Sequence, residues 1–240
     1  MNIVITGAGR GIGYYTALHL AKDPGNKIFA LSRDVNNLKK LVVENGSEKN
    51  IEIIPCDVSN EKSVEECVKQ ISDKVSGVEI LINNAGLLIK KPFIELSTSD
   101  WHSVYSVNVF GLVNVTKALL PLLMKGQITT ETEMKSHVLN ISSMGGVNGS
   151  IKFNGLSSYS SSKGAVITIS ECLSEELKSF GVCVNCIALG SVDTEMFKIA
   201  FPGMKASTGV LETAAWVGDF AINGHKFFSG KIIPLSTSTP

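Results

Sequence analysis

The chain has 240 residues with 22 Lys+Arg against 22 Asp+Glu, so its formal net charge is zero. Charged residues are 18% and the AVILMFWYC set 44%, which excludes a disordered chain; a chain this long buries enough surface to need no disulfide or metal support. No basic run exceeds Lys39-Lys40 or Lys90-Lys91, which argues against nucleic acid as a partner, and no apolar stretch approaches about 18 residues, so no membrane-spanning helix is expected.

Met1-Asn2-Ile3-Val4-Ile5-Thr6-Gly7 passes straight from an apolar run to glycine without a basic leader, so no targeting signal is expected. From there, β-rich apolar runs alternate with helical patterns. Strands are predicted at Ile3–Thr6, Lys27–Ser32, Ile51–Pro55, Glu79–Ile82, His137–Ser142, Val182–Ala188 and Lys231–Leu235. Helices are predicted near 12–22, 35–45, 61–75, 100–124, 157–180 and 210–223. Short buried strands alternating with helices predict βαβ units: an α/β fold with a doubly wound parallel sheet of about seven strands, helices on both faces, and one domain over 1–240. The loops that break the rhythm are Gly126–Ser136, Met144–Ser158 and Gly190–Thr208. In such a sheet, ligands bind at the carboxyl ends of the strands.

Five cysteines (Cys56, Cys67, Cys172, Cys183, Cys186) are an odd, scattered set, which fits a reducing cytoplasm. Cys183 and Cys186 sit three apart on a predicted strand and face opposite ways, so they read as buried small side chains. His19, His102, His137 and His225 show no ligand spacing, and no metal is expected.

The first predicted strand runs into Thr6-Gly7-Ala8-Gly9-Arg10-Gly11-Ile12-Gly13 and then a helical pattern. Such a turn lets backbone N–H groups approach a pyrophosphate, and the helix N-terminus favours the negative charge. The spacing is T-G-x-x-x-G-x-G rather than G-x-G-x-x-G. At the end of the second strand, Ser32 stands 19 residues past Gly13, where a carboxylate would select NAD, and Arg33 follows it. Arg33 can fork onto a 2′-phosphate, with Arg10 as a second positive charge. NADP(H) is therefore the expected coenzyme and NAD(H) the alternative. Asp34 reads as the N-cap of the next helix.

Tyr159-Ser160-Ser161-Ser162-Lys163 sets a phenol and an ammonium at i and i+4 on one helical face. A neighbouring ammonium stabilises a phenolate and so lowers the phenol pKa. Tyr159 can then exchange a proton with a carbonyl or alcohol oxygen, and a hydroxyl from Ile141-Ser142-Ser143 can hydrogen-bond the same oxygen.

At this point the chain resembles the short-chain dehydrogenase/reductase family, from Asn2 to about Leu235. Seven motifs match in the family's order: Thr6–Gly13, Cys56-Asp57-Val58, Asn83-Asn84-Ala85-Gly86, Ser106-Val107-Asn108-Val109, Ile141-Ser142-Ser143, Tyr159–Lys163 and Leu189-Gly190-Ser191-Val192-Asp193-Thr194. The resemblance implies a Rossmann-type fold in which Tyr159 is the general acid/base and Lys163 binds the nicotinamide ribose. Ser143 would polarise the substrate carbonyl and Asn108 would hold a water linking Lys163 to solvent. Coenzyme contacts would come from Gly7, Arg10, Gly11, Ile12, Gly13, Ser32 and Arg33, with Asp57 and Val58 at the adenine. Asn84 and Ala85 would line the adenosine side, Thr194 would contact the carboxamide, and Gly86, Gly190 and Val192 would add further coenzyme contacts. Two alternatives stay open: Ser142 in place of Ser143, because neighbours on a strand face opposite ways, and Asn108 as a helix cap or kink. The resemblance also implies a homodimer or homotetramer paired through the helices near 100–124 and 157–180.

Two features depart from the family pattern. Tyr159 stands 16 residues past Ser143, with the surplus in a glycine-rich stretch from Gly145 to Gly155, and Leu189 replaces the usual proline before Gly190. Candidate walls such as Leu88, Phe153, Phe197, Phe201 and Met204 are mostly apolar, so a small uncharged ketone or aldehyde, or the matching alcohol, is the expected partner. Specificity would sit in loops 87–95, 144–158 and 190–208, and the short stretch after Thr194 leaves little for a lid. The expected activity is NADPH-dependent carbonyl reduction. The alternative is a cofactor-binding regulatory or redox-sensing module with little turnover.

Overall fold

The computed structural model describes residues 1–46, 50–128 and 134–237. Seven parallel strands form one sheet: β1 (Asn2–Thr6), β2 (Lys27–Ser32), β3 (Ile51–Pro55), β4 (Ile80–Asn83), β5 (Ser136–Ser143), β6 (Val182–Leu189) and β7 (Ile232–Leu235). Their spatial order is β3-β2-β1-β4-β5-β6-β7. The chain winds outward in both directions from the β1/β4 pair, which opens a crevice at the carboxyl ends of those strands. Every side chain of β6 is buried, as expected for a strand covered on both faces.

The helices are α1 (Gly11–Ala21), α2 (Val35–Asn45), α3 (Glu61–Ser72), α4 (Thr98–Tyr105), α5 (Gly111–Leu123), α6 (Ser157–Glu176), α7 (Glu195–Ala200) and α8 (Val210–Asn223). Their starts follow local chemistry. Asp34 accepts from the Asn36 and Asn37 amides and caps α2, as read from the sequence, and Asn60 caps α3. Ser97 and Asp100 form a reciprocal capping box at α4. On α3, Val64, Cys67 and Ile71 recur on one face and bury against the sheet, and Cys183 and Cys186 are buried free thiols.

Two expectations need correction. The helix predicted near 100–124 is continuous from Thr98 to Leu123, through a π-helical segment at Ser106–Phe110, and reaches a mean hydropathy of 1.4 over 18 residues. By length and composition it is therefore apolar enough to span a membrane, which counting uninterrupted apolar runs overlooked. Half of that window is buried inside the protein, where Val115, Leu119 and Leu123 pack in the core. The second correction is α7, which lies inside a stretch read as loop. Thr194 caps it by accepting from Phe197 N at 3.2 Å, and six residues are too few to reveal a helical period. Of the loop predicted at Gly126–Ser136, residues 129–133 lie outside the described residues.

Candidate active site

The glycine turn leaves β1 at Thr6 and enters α1 at Gly11. Gly7 and Gly11 adopt φ of 67° and 59°, a region that glycine enters without the Cβ clash. The turn is fastened to the segment after β4: Thr6 Oγ1 accepts from the amides of Asn84 and Ala85 at 3.0 Å each, and Asn84 Nδ2 donates to the carbonyls of Thr6 and Gly7. A Cβ on Gly13 would collide with Asn84 Nδ2, so this glycine serves close packing and does not face the cleft. No side chain caps the first turn of α1, whose amides point toward the crevice end of β1. That cradle fits the pyrophosphate of a dinucleotide.

At the outer end, Ser32, Arg33, Asp57 and Val58 line the same cleft. The Asp57 carboxylate accepts from Ser59 N and Ser59 Oγ, which shapes the turn after β3. Arg10 is paired: its Nη1 lies 3.0 Å from Glu195 Oε2, with both side chains exposed. The sequence reading passed over Glu195. The signal available was an acid directly after Thr194 at the start of a capped segment.

The chemical groups meet at the carboxyl end of β5. Ser142 is buried and donates to the Lys163 carbonyl at 2.8 Å, while the half-buried Ser143 hydrogen-bonds the Tyr159 phenol and accepts from Gly145 N. The strand's alternation therefore aims Ser143 at the cleft and Ser142 at the underside of α6. Lys163 is buried, donates through Nζ to the Ile141 carbonyl at 2.8 Å, and lies 5.8 Å from the Tyr159 ring centroid.

Burial pushes the Tyr159 phenol up to about 12, partly offset by the Ser143 hydrogen bond, and burial pushes the Lys163 ammonium down to about 8. The lowering of Tyr159 by Lys163 expected from their spacing does not occur in this geometry, because the ammonium points at a backbone carbonyl and desolvation of the phenol dominates.

Asn108 sits in the π-helical segment. Its side chain donates to the Leu87 carbonyl and to Ser162 Oγ and accepts from Leu87 N. It does not line the main cleft; it borders a small cavity behind it, together with Lys163. Gly86 lies between them, close to both side chains.

Apart from Gly13 and Asn108, every residue the sequence marks as catalytic or coenzyme-binding lines one continuous cleft of about 510 Å³. Gly190, Val192 and Thr194 stand at its inner end; Val192 is buried and bridges to Thr208, and the Thr194 hydroxyl is engaged as the α7 cap. Ser236, beyond β7, also reaches the cleft by packing on Gly190. Only the neighbouring of β6 and β7 brings it there, so nothing in the local sequence marks it.

A family model described as short chain dehydrogenase matches residues 1–204. An uncharacterized oxidoreductase of Staphylococcus aureus (strain USA300) is 31% identical over 191 residues, covering 80% of this chain and 78% of the relative. The 3-oxoacyl-[acyl-carrier-protein] reductase of Synechocystis sp. is 31% identical over 196 residues, 80% of this chain and 74% of that one. Among solved structures, the NADP active-site complex of Pseudomonas aeruginosa RhlG superposes with a TM-score of 0.86 at 25% identity, over 99% of this chain and 95% of that chain. Levodione reductase, at 23% identity and a TM-score of 0.84, shares the fold over 98% of this chain and 95% of its own.

Proposed function

Because the chain belongs to the short-chain dehydrogenase/reductase family of NAD(P)-dependent oxidoreductases, we propose that it is an NADPH-dependent reductase of small uncharged ketones or aldehydes, with residues 1–240 acting as one domain. The observation that carries this reading is the Ser143–Tyr159 pair at the cleft. The phenol is protonated at neutral pH, as its ordinary pKa already ensures, so it has a proton to give, which suits carbonyl reduction.

The nicotinamide, when bound, supplies a hydride to the carbonyl carbon. Tyr159 gives its proton to the carbonyl oxygen as that oxygen gains charge. The Ser143 hydroxyl donates a hydrogen bond to the same oxygen, so the charge develops against a group already in position. Lys163 contributes its positive charge at the inner end of the cleft. Asn108 ties α6 to the segment after β4 and so steadies both walls.

Arg33 and Arg10 support NADPH over NADH, since Ser32 leaves no carboxylate at the end of β2 to repel a 2′-phosphate. The RhlG complex contains NADP, in keeping with that choice. The apolar side chains at the inner end favour an uncharged substrate over the carrier-linked substrate named for the Synechocystis relative. We further place the protein in the cytoplasm, on its five free cysteines, as a homodimer or homotetramer paired through α4–α5 and α6.

The test is NADPH oxidation by purified protein across a carbonyl panel, with Tyr159→Phe alongside. Turnover that vanishes in the variant while NADPH still binds supports the reading. Tight NADPH binding with no turnover on any carbonyl would move the assignment to a sensing module. Sedimentation as a monomer would remove the oligomer, and cell fractionation tests the compartment.

A further inference from the structure

Three loops border the inner end of the cleft, and contacts outside the Ser143–Tyr159–Lys163 chemistry fasten them together. Lys91 N donates to the Gly155 carbonyl at 3.0 Å, joining the segment after β4 to the long loop between β5 and α6. Lys90 Nζ donates to the Ala200 carbonyl at 2.6 Å, at the carboxyl end of α7 where helix carbonyls lack intrahelical partners. The same ammonium lies 4.5 Å from the Phe201 ring centroid. Phe201 meets Phe153 of the long loop edge-on, with centroids 5.2 Å apart and planes at 67°, and meets Phe197 of α7 at 5.2 Å. All three rings line the cleft that holds Ser143 and Tyr159.

The surplus residues of the long loop are pinned rather than loose. Lys152 Nζ donates to the Val147 carbonyl and to Ser150 Oγ at 2.6 Å each, and Ser150 Oγ bonds back to the carbonyl of Met144. Phe153 is thus delivered to Phe201 by a braced turn. Lys90 and Lys152 are engaged at backbone carbonyls and Lys198 at Asp193 Oδ1, 3.0 Å away, while Lys205 is a single further ammonium on the cleft lining. An apolar ring in the cleft meets ring edges and faces here rather than a cluster of dedicated cations.

We propose, resting on the carbonyl-reductase reading, that Phe153, Phe197 and Phe201 form an aromatic wall that selects carbonyls bearing an aryl group, and that Lys90 is the positioning residue that holds this wall over the cleft. A substrate ring joins the cluster with edge or offset contacts worth up to about tenfold in affinity beyond the area it buries. An aliphatic group gains only the area. Lys90 acts through Phe201 and the end of α7, without touching substrate.

The experiment compares acetophenone with butan-2-one. Steady-state kinetics are combined with calorimetric titration of acetophenone into the NADPH-saturated protein. Phe201→Ala is expected to lower the acetophenone-to-butanone ratio of kcat/KM about tenfold. Lys90→Met lowers it several-fold through the acetophenone KM, more than through kcat, and Lys90→Arg, which keeps a cation and a donor, restores it. Turnover with a ratio that none of these changes moves overturns the wall and leaves the reductase reading standing. Acetophenone binding that depends on Phe201 without turnover keeps the wall and overturns the reductase reading. Neither binding nor turnover overturns both.

Discussion

Arg10, in the glycine turn after β1, lies 3.0 Å from Glu195, the first residue of α7. The pair ties the coenzyme turn to the helix that borders the substrate end. If Arg10 serves a 2′-phosphate, Glu195 competes with that phosphate for the guanidinium. Glu195→Gln should then tighten NADPH by about two- to fivefold, the scale of an exposed ion pair, and leave NADH unmoved. Arg33→Ser should weaken NADPH at least tenfold with little change for NADH. Fluorescence titration of both coenzymes checks the pair of variants; equal effects on NADH and NADPH would remove both arginines from the 2′-phosphate.

Ser142 and Ser143 separate a structural from a chemical hydroxyl. Ser143→Ala should lower kcat by about a hundredfold, since it removes a donor from the developing oxyanion. Ser142→Ala should chiefly lower stability, by about 1 kcal/mol, because it removes a buried hydrogen bond to the Lys163 carbonyl. Denaturant melts beside initial rates give the answer, and a reversed ranking would hand the chemical role to Ser142.

The pH profile of reduction should be set by Lys163. Burial lowers its pKa to about 8, so its charge is present below that pH and lost as pH rises through it. Tyr159, pushed up to about 12, keeps its proton over the same range. Carbonyl reduction should therefore be level near neutrality and fall above about pH 8, with coenzyme affinity falling alongside. A rate that climbs from pH 7 to 10 would contradict this assignment.

A second titration lies far from the cleft. His137 is fully buried on β5, donates from Nδ1 to the Ala221 carbonyl at 2.8 Å, and accepts at Nε2 from Asn185. Burial lowers its pKa to about 4, and neighbouring His225, ring centroids 5.7 Å apart, is lowered too, also by burial. The unfolded chain thus takes up protons first as pH falls. Stability should be intact above about pH 6.5 and decline toward pH 4, by about 3 kcal/mol from His137 alone. Urea unfolding at pH 7 and 4.5 measures the slope, and His137→Gln should flatten it.

Much of this protein is written locally. The β1 run followed by Thr6–Gly13, the Asp34 cap and the Tyr159/Lys163 spacing each depend on a few consecutive residues, and alternating periods foretold the parallel sheet. Local pattern could not decide which of Ser142 and Ser143 faces the cleft, because that depends on where α6 lies over β5. Nor could it decide the direction in which the Tyr159 pKa moves: the i and i+4 spacing put an ammonium nearby, but Lys163 turns to the Ile141 carbonyl and burial pushes the phenol up. Arg10 with Glu195, Lys90 with Ala200, and Phe153 with Phe201 join segments from about 50 to 185 residues apart. Sequence fixes short-range periodicity and backbone freedom because those act between neighbours. Charge pairing, desolvation and ring packing act through space, and only the folded sheet brings their partners together.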